Sequence, residues 1–375
     1  IKLTNSKLNF KSTKVKLFDM LDCAVKARMV SDVPVATFLS GGIDSSIITY
    51  FAKKYDKNLN TFSVGFDTTN ELSHAKIVAD HLGTNHYEFI INKDNVLDYL
   101  EEMVYHMDEP IGADPGFLPI FVLSKETKKF NTVVLTGDGA DEIFTGYDRY
   151  KLLHYGNFLK HFTFSKSSNQ ILNRLNMMKG KSIMESFFEI TRVFEKDEIL
   201  KLGFKDLKPD FNKYERLKTN NLNKIQLFDI DNLLLKDFFM KSDKMSSAFG
   251  LEQRTPFMDK KIVEFGLSIP IIHRLRGWNE KHILKSVARD ILPESICKRR
   301  KHGFNVPIDY WFENTLGVRL KELLDNSSHN LYNSNYVYEL LDSLKSDSSS
   351  FKSRNVVAQK LWTVLVFEMW YVRFM

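Results

Sequence analysis

Between Val35 and Thr136 the chain repeats one alternation, a short run rich in β-branched and aromatic residues followed by a stretch with helical spacing. Val35–Leu39 leads through glycines into a helical segment from Ile43 to about Lys54. Asn60–Phe66 precedes a helix across Ser73 to Leu82, and His86–Ile91 precedes one across Asn95 to Met107. A helix over Phe117 to Lys129 is then followed by the run Thr132–Thr136. Runs apolar on both faces, separated by helices, predict an α/β fold: a parallel twisted sheet with helices on both faces.

This core spans about 30–150, behind an amphipathic helix from Val15 to Met29. The polar, aperiodic residues 1–14 read as a linker or the remnant of an absent N-terminal domain. Because the chain starts at Ile1 rather than Met, we expect a processed or excised piece. After Tyr150 helical periodicity takes over, predicting a mainly helical C-terminal half. Within it, 156–226 reads as a variable helical insertion and 227–375 as a helical C-terminal part. Val357, Leu361, Val364, Leu365 and Trp370 form a stripe that reads as core.

Composition excludes several classes. The 53 Lys and Arg against 47 Asp and Glu leave +6 over 375 residues, too mild a balance to argue for nucleic acid. Only Cys23 and Cys297 occur, far apart, which excludes a disulfide framework and fits a reducing, cytoplasmic setting. The longest apolar stretch, Leu361–Phe367, is far short of a membrane span. His74, His81, His86 and His106 are scattered without ligand spacing.

The loop after the first strand is Ser40-Gly41-Gly42-Ile43-Asp44-Ser45-Ser46. Paired glycines let backbone approach a ligand closely, and the following helix offers free N–H groups and a positive dipole end to phosphate. A carboxylate beside phosphate repels it unless a divalent cation lies between them, so Asp44 implies Mg²⁺ shared with a nucleotide. The plain alternative is an ordinary strand–turn–helix with Asp44 as a dipole partner. Gly180-Lys181-Ser182 is not a phosphate loop, since Leu175 stands where its first glycine belongs.

A second acidic turn, Thr136-Gly137-Asp138-Gly139-Ala140-Asp141-Glu142, follows the strand Thr132–Thr136. Read as a dinucleotide loop it fails, because Glu142 occupies the third glycine position and three carboxylates would repel pyrophosphate. Both turns leave the carboxyl ends of parallel strands, where open α/β sheets bind ligands. We therefore expect Asp44 and Asp141 to meet at one magnesium. A solvated acidic turn is the structural alternative.

These motifs carry a resemblance. Ser40–Ser46 is similar to the pyrophosphate loop of N-type ATP pyrophosphatases, an adenine nucleotide alpha hydrolase-like fold. The second turn, with Thr145-Gly146-Tyr147, resembles the synthetase domain of asparagine synthetases of the glutamine-hydrolysing type. Further blocks resemble that domain in order: Asp108-Glu109-Pro110 through Asp114-Pro115, Asp243-Lys244-Met245-Ser246 with Gly250–Asp259, Lys281–Leu284, Leu292-Pro293 and Arg299–Pro307.

The resemblance implies an adenine held by main chain at Leu39 and Val64, with ATP contacts at Ser40, Gly41, Gly42, Asp44, Ser45, Thr136, Gly137 and Asp141. It implies Lys301 at the α-phosphate, where negative charge grows in the transition state. The implied reaction adenylates the aspartate side chain to β-aspartyl-AMP and pyrophosphate, after which ammonia displaces AMP. Asp138 stands where the family has glutamate, a carboxylate one methylene shorter that faces the amine or acceptor. Amidation of another carboxylate, such as a sugar acid, is therefore an alternative.

Cys23 lies inside an amphipathic helix, so nothing here matches the family's glutaminase domain with its leading cysteine. Ammonia is expected from such a domain missing from this chain or on a partner. A homodimer is compatible with these features; nucleic acid and membrane partners are not expected. A non-catalytic nucleotide-binding protein would keep the glycines without needing paired acids, and a tRNA-modifying enzyme would need a stronger basic balance or a thiol motif.

Overall fold

The computed structural model describes residues 6–68, 72–112, 114–159, 170–299, 306–345 and 351–375. Its sheet has five parallel strands, β1 (Val35–Phe38), β2 (Asn60–Phe66), β3 (Asn85–Ile91), β4 (Val133–Leu135) and β5 (Glu252–Arg254), in the order β3-β2-β1-β4-β5. Strand order reverses between β1 and β4, whose register pairs Thr37 with Leu135. Such a reversal opens a crevice at the strands' carboxyl ends, because the flanking connections leave in opposite directions.

Strand side chains alternate between two cores, as a sheet covered on both faces requires. Val35, Val133 and Leu135 join one core with helices α1 (Phe10–Arg28), α2 (Ile43–Tyr55) and α3 (Leu72–Leu82). Ala36, Phe62, Val64 and Val134 join the other with α4 (Val96–Tyr105) and α5 (Phe117–Thr127). The expected α/β architecture is what forms.

Two differences from the sequence reading have simple causes. Helix α1 begins at Phe10, inside the stretch read as linker, because the Asn9 side chain accepts from Ser12 N at 2.9 Å and caps its first turn. Strand β5 lies in the half expected to be mainly helical. Its residues, Glu252, Gln253 and Arg254, show no apolar alternation; the open edge of β4 recruits them through Glu252 N donating to Thr132 O at 2.9 Å and Thr136 N to Arg254 O at 3.0 Å.

The rest of the second half is helical. The stretch read as an insertion carries helices at Gln170–Met177, Ile183–Thr191, Lys196–Lys201 and Asn212–Glu215, while 160–169 lie outside the described residues. From Asn221 to Ser247 one long helical run includes a π-helical stretch, Asp229–Phe239. Extra residues per turn of this kind often sit near functional sites, and here the run delivers Phe238 and Lys241 to the crevice. The expected apolar stripe forms the terminal helix Phe351–Phe374, with Leu361, Trp362 and Leu365 fully buried. No helix among the described residues is long and apolar enough to cross a membrane.

Candidate active site

The two acidic turns touch. The first runs from β1 through Ser40-Gly41-Gly42 to the start of α2. Gly41 has φ +69°, and a Cβ there would meet Ala75 N at 2.5 Å, so only glycine fits this turn beneath α3. Ser45 Oγ accepts from Ser40 N at 3.2 Å and lies 3.1 Å from Ser40 Oγ, tying the turn to the first turn of α2. The second turn runs from β4 into the short helix α6 (Ala140–Phe144). A Cβ on Gly137 would lie 2.6 Å from Ser45 N and 2.9 Å from Asp44 C, so the absent side chain is what lets the turns pack backbone to backbone.

Their carboxylates converge on a third segment. Lys281 Nζ lies 2.5 Å from Asp44 Oδ2 and 2.6 Å from Asp141 Oδ1, and its side chain is 5% exposed. Burial alone would lower this ammonium's pKa; the charges of Asp141 and Asp44 more than reverse that and leave it raised. Lys281 also has a left-handed backbone, φ 51° and ψ 32°, at the start of the helix His282–Ala288. For a lysine this costs roughly 1–3 kcal/mol, strain of the kind that surrounding contacts sustain at functional sites. Gly146 packs against the same pair, where a Cβ would lie 1.8 Å from Asp141 Oδ1 and 2.1 Å from Lys281 Cε.

A cavity of about 490 Å³ opens beside these groups. Its wall includes Leu39, Ser40, Gly41, Gly42, Asp44, Ser45, Val64, Thr136, Gly137, Asp138 and Asp141. Every expected site residue except Lys301 therefore borders one space. Lys301 lies outside the described residues, although Arg299 of the same basic segment reaches the cavity wall.

Asp138 folds back, its carboxylate accepting from Thr136 Oγ1 at 2.8 Å. Burial raises its pKa; the Thr136 hydrogen bond and the Lys241 charge pull it down, and the Asp44 and Asp141 charges push it up. Nearby, Lys241 is 1% exposed, pairs with Asp114, and lies 3.8 Å from the centre of the Phe238 ring. Burial would raise the Asp114 pKa, but the Lys241 charge and the Gly116 N–H hold it below its ordinary value.

Sequence reasoning gave no role to Lys281, Lys241 or Gln253. Lys281 opens the Lys281–Leu284 segment that resembles the family and so carried a signal. Lys241, beside Phe238, Phe239 and Met240, carried none. Gln253 sits on the unforeseen strand β5 and borders the cavity with its amide nitrogen unpaired among the described residues.

The donor set suits a nucleotide-borne metal. Asp44 and Asp141 are hard oxygen donors already sharing one cation. No cluster of three or more His, Cys, Asp or Glu able to hold a metal occurs among the described residues. Magnesium is commonly held by one or two carboxylates with substrate phosphates and water completing its shell, and this pair fits that pattern.

Known proteins match this chain across most of its length. A family profile described as asparagine synthase matches residues 16–372. Glutamine-hydrolyzing asparagine synthetase 1 of Bacillus subtilis (strain 168) is 32% identical over 402 residues, covering 98% of this chain and 62% of that protein. Asparagine synthetase B of Escherichia coli (strain K12) is 26% identical over 331 residues, covering 83% of this chain and 48% of that one. The chain thus spans about three fifths of the length of the first and half of the second. A solved NH3-dependent NAD synthetase from Campylobacter jejuni is 18% identical and covers 54% of this chain and 98% of that one, at a TM-score of 0.27, too slight a likeness to carry an argument. With a profile match running across nearly its whole length, the chain belongs to the asparagine synthase family.

Proposed function

We propose that this chain carries out ATP-dependent amide synthesis on aspartate. The observation that supports this most is the convergence of Asp44, Asp141 and Lys281 where the two turns touch, beside a cavity large enough for a nucleotide. In the first step an oxygen of the aspartate side chain attacks the α-phosphorus of ATP. The bond from that phosphorus to the bridging oxygen breaks, and pyrophosphate leaves. In the second, ammonia attacks the acyl carbon, AMP departs with the carbon–oxygen electron pair, and a proton is lost from nitrogen.

The protein's part is positioning and charge compensation. Leu39 and Val64 border the adenine end, and the N-terminus of α2 with Ser40 and Ser45 receives phosphate oxygens. Asp44 and Asp141 would hold Mg²⁺, which when bound neutralises charge on the leaving pyrophosphate. Lys281 faces the phosphates as charge builds, and the family resemblance gives Lys301 the same role at the α-phosphate. Asp138 and Lys241 border the acceptor end, where an ammonium and a carboxylate of an amino acid find opposite charges. Glutamine is the source of the ammonia, as the names of its relatives suggest. A cytoplasmic setting belongs to the same reading; both cysteines are free thiols.

One assay tests this. Incubated with ATP, Mg²⁺, ammonia and a panel of carboxylic acids, the chain should release pyrophosphate and AMP with aspartate. Release with a sugar acid instead would move the acceptor assignment to another carboxylate. ADP and orthophosphate as sole products would defeat the adenylation chemistry.

A further inference from the structure

Lys281 fills the point between Asp44 and Asp141. Its ammonium is within 2.6 Å of an oxygen on each, and a magnesium ion bound by both would need the same place at about 2.1 Å from each. Two cations cannot occupy that position together, because like charges at such separations repel strongly in a partly desolvated site. Gly146 closes one side of the lysine, and its open side is the cavity. Moving into the cavity would carry the ammonium toward the space where, under the proposed function, a polyphosphate would lie.

We propose that Lys281 is a place-holding cation. It keeps divalent metal off Asp44 and Asp141 in the nucleotide-free protein, and frees them when metal arrives together with a polyphosphate that gives the ammonium a new anionic partner. This inference rests on the reading of Asp44 and Asp141 as the metal-holding pair under the proposed function. Charge balance gives the reason. A hydrated divalent ion arriving alone would have to expel a buried lysine that is paired with both carboxylates. Phosphate oxygens change that balance by solvating both cations. The metal then enters as its nucleotide complex rather than ahead of it.

The test is a Mn²⁺ titration of the whole chain followed by electron paramagnetic resonance, without nucleotide. Lys281→Met should bind Mn²⁺ on the order of tenfold more tightly than the native protein. Lys281→Arg should keep the exclusion, and adding Asp44→Asn to Lys281→Met should cancel the gain. Equal affinity in the native protein and Lys281→Met overturns the proposal. If Lys281→Met does not fold, the native protein decides alone: Mn²⁺ uptake as tight without nucleotide as with ATP overturns it, and uptake only with ATP supports it. None of these readouts needs turnover, so a chain that released no pyrophosphate would defeat the proposed reaction and leave the cation competition standing.

Discussion

Lys281 and Asp44 are 237 positions apart in sequence and meet at 2.5 Å. The same ammonium reaches Asp141 at 2.6 Å, so three segments remote in the chain share one charge cluster at the crevice between β1 and β4. A sheet that reverses its strand order makes this meeting possible, because it brings both turns to the same edge.

Asp44→Asn and Asp141→Asn should each lower kcat for pyrophosphate release by roughly 10²–10³. Thermal midpoints should change little, since the remaining carboxylate still pairs with Lys281. Steady-state kinetics beside melting curves would check this. Near-native turnover in either variant would place the essential cation elsewhere.

Gly137→Ala should separate the two turns. The new methyl group would meet backbone atoms of Asp44 and Ser45 that cannot swing aside as a side chain could. We expect a loss of about 1–3 kcal/mol in stability, from overpacking, together with lost nucleotide affinity. Urea unfolding and ATP-analogue titration would measure the two effects, and unchanged affinity would mean that the contact does not shape the site.

Gln226→Leu should weaken the site from beneath. Its amide donates to Glu142 O at 2.5 Å and Ile143 O at 3.1 Å, and accepts from Arg274 Nη1 at 2.6 Å. Leucine would strand these buried groups, the fully buried guanidinium included, at a cost of roughly 2–4 kcal/mol. Thermal unfolding checks the cost; a change below the error of the melt would contradict it.

Glu280 should make the protein acid-sensitive. Burial would raise its pKa, but its own backbone N–H and the ammonium groups of Lys285 and Lys151 outweigh that and hold it at about 2, against an ordinary 4.5. A depressed folded-state pKa stabilises above the unfolded value, and that contribution disappears as pH falls through the folded one. The contribution, about 3 kcal/mol at neutral pH, should fade between about pH 4.5 and about pH 2. Comparing denaturant unfolding of the native protein and Glu280→Gln should show a gap at about pH 6 that has nearly closed at about pH 2. A gap that stays constant would rule the carboxylate out as its source.

Much of this was readable along the chain because the signals are local. Strands β1 to β4 announced themselves as short β-branched runs before helices, and Asn60–Phe66 was bounded to the residue. Strand β5 was not readable, since Glu252, Gln253 and Arg254 become a strand only because β4 leaves an edge to pair with. Helix α1 began earlier than its apolar spacing suggested, since a capping asparagine rather than periodicity sets its start.

The sequence by itself determined four of the five strands, their covering helices and the two turns, because glycine, aspartate and alternating apolar residues act through their immediate neighbours. It also named both carboxylates and the expectation of a cation between them. Only the tertiary structure decided that a lysine of the chain stands there, because the charge on Lys281 gains its meaning from long-range closure. Backbone packing at Gly137 and Gly146 fixes that closure to tenths of an ångström, a distance that no spacing along the chain encodes.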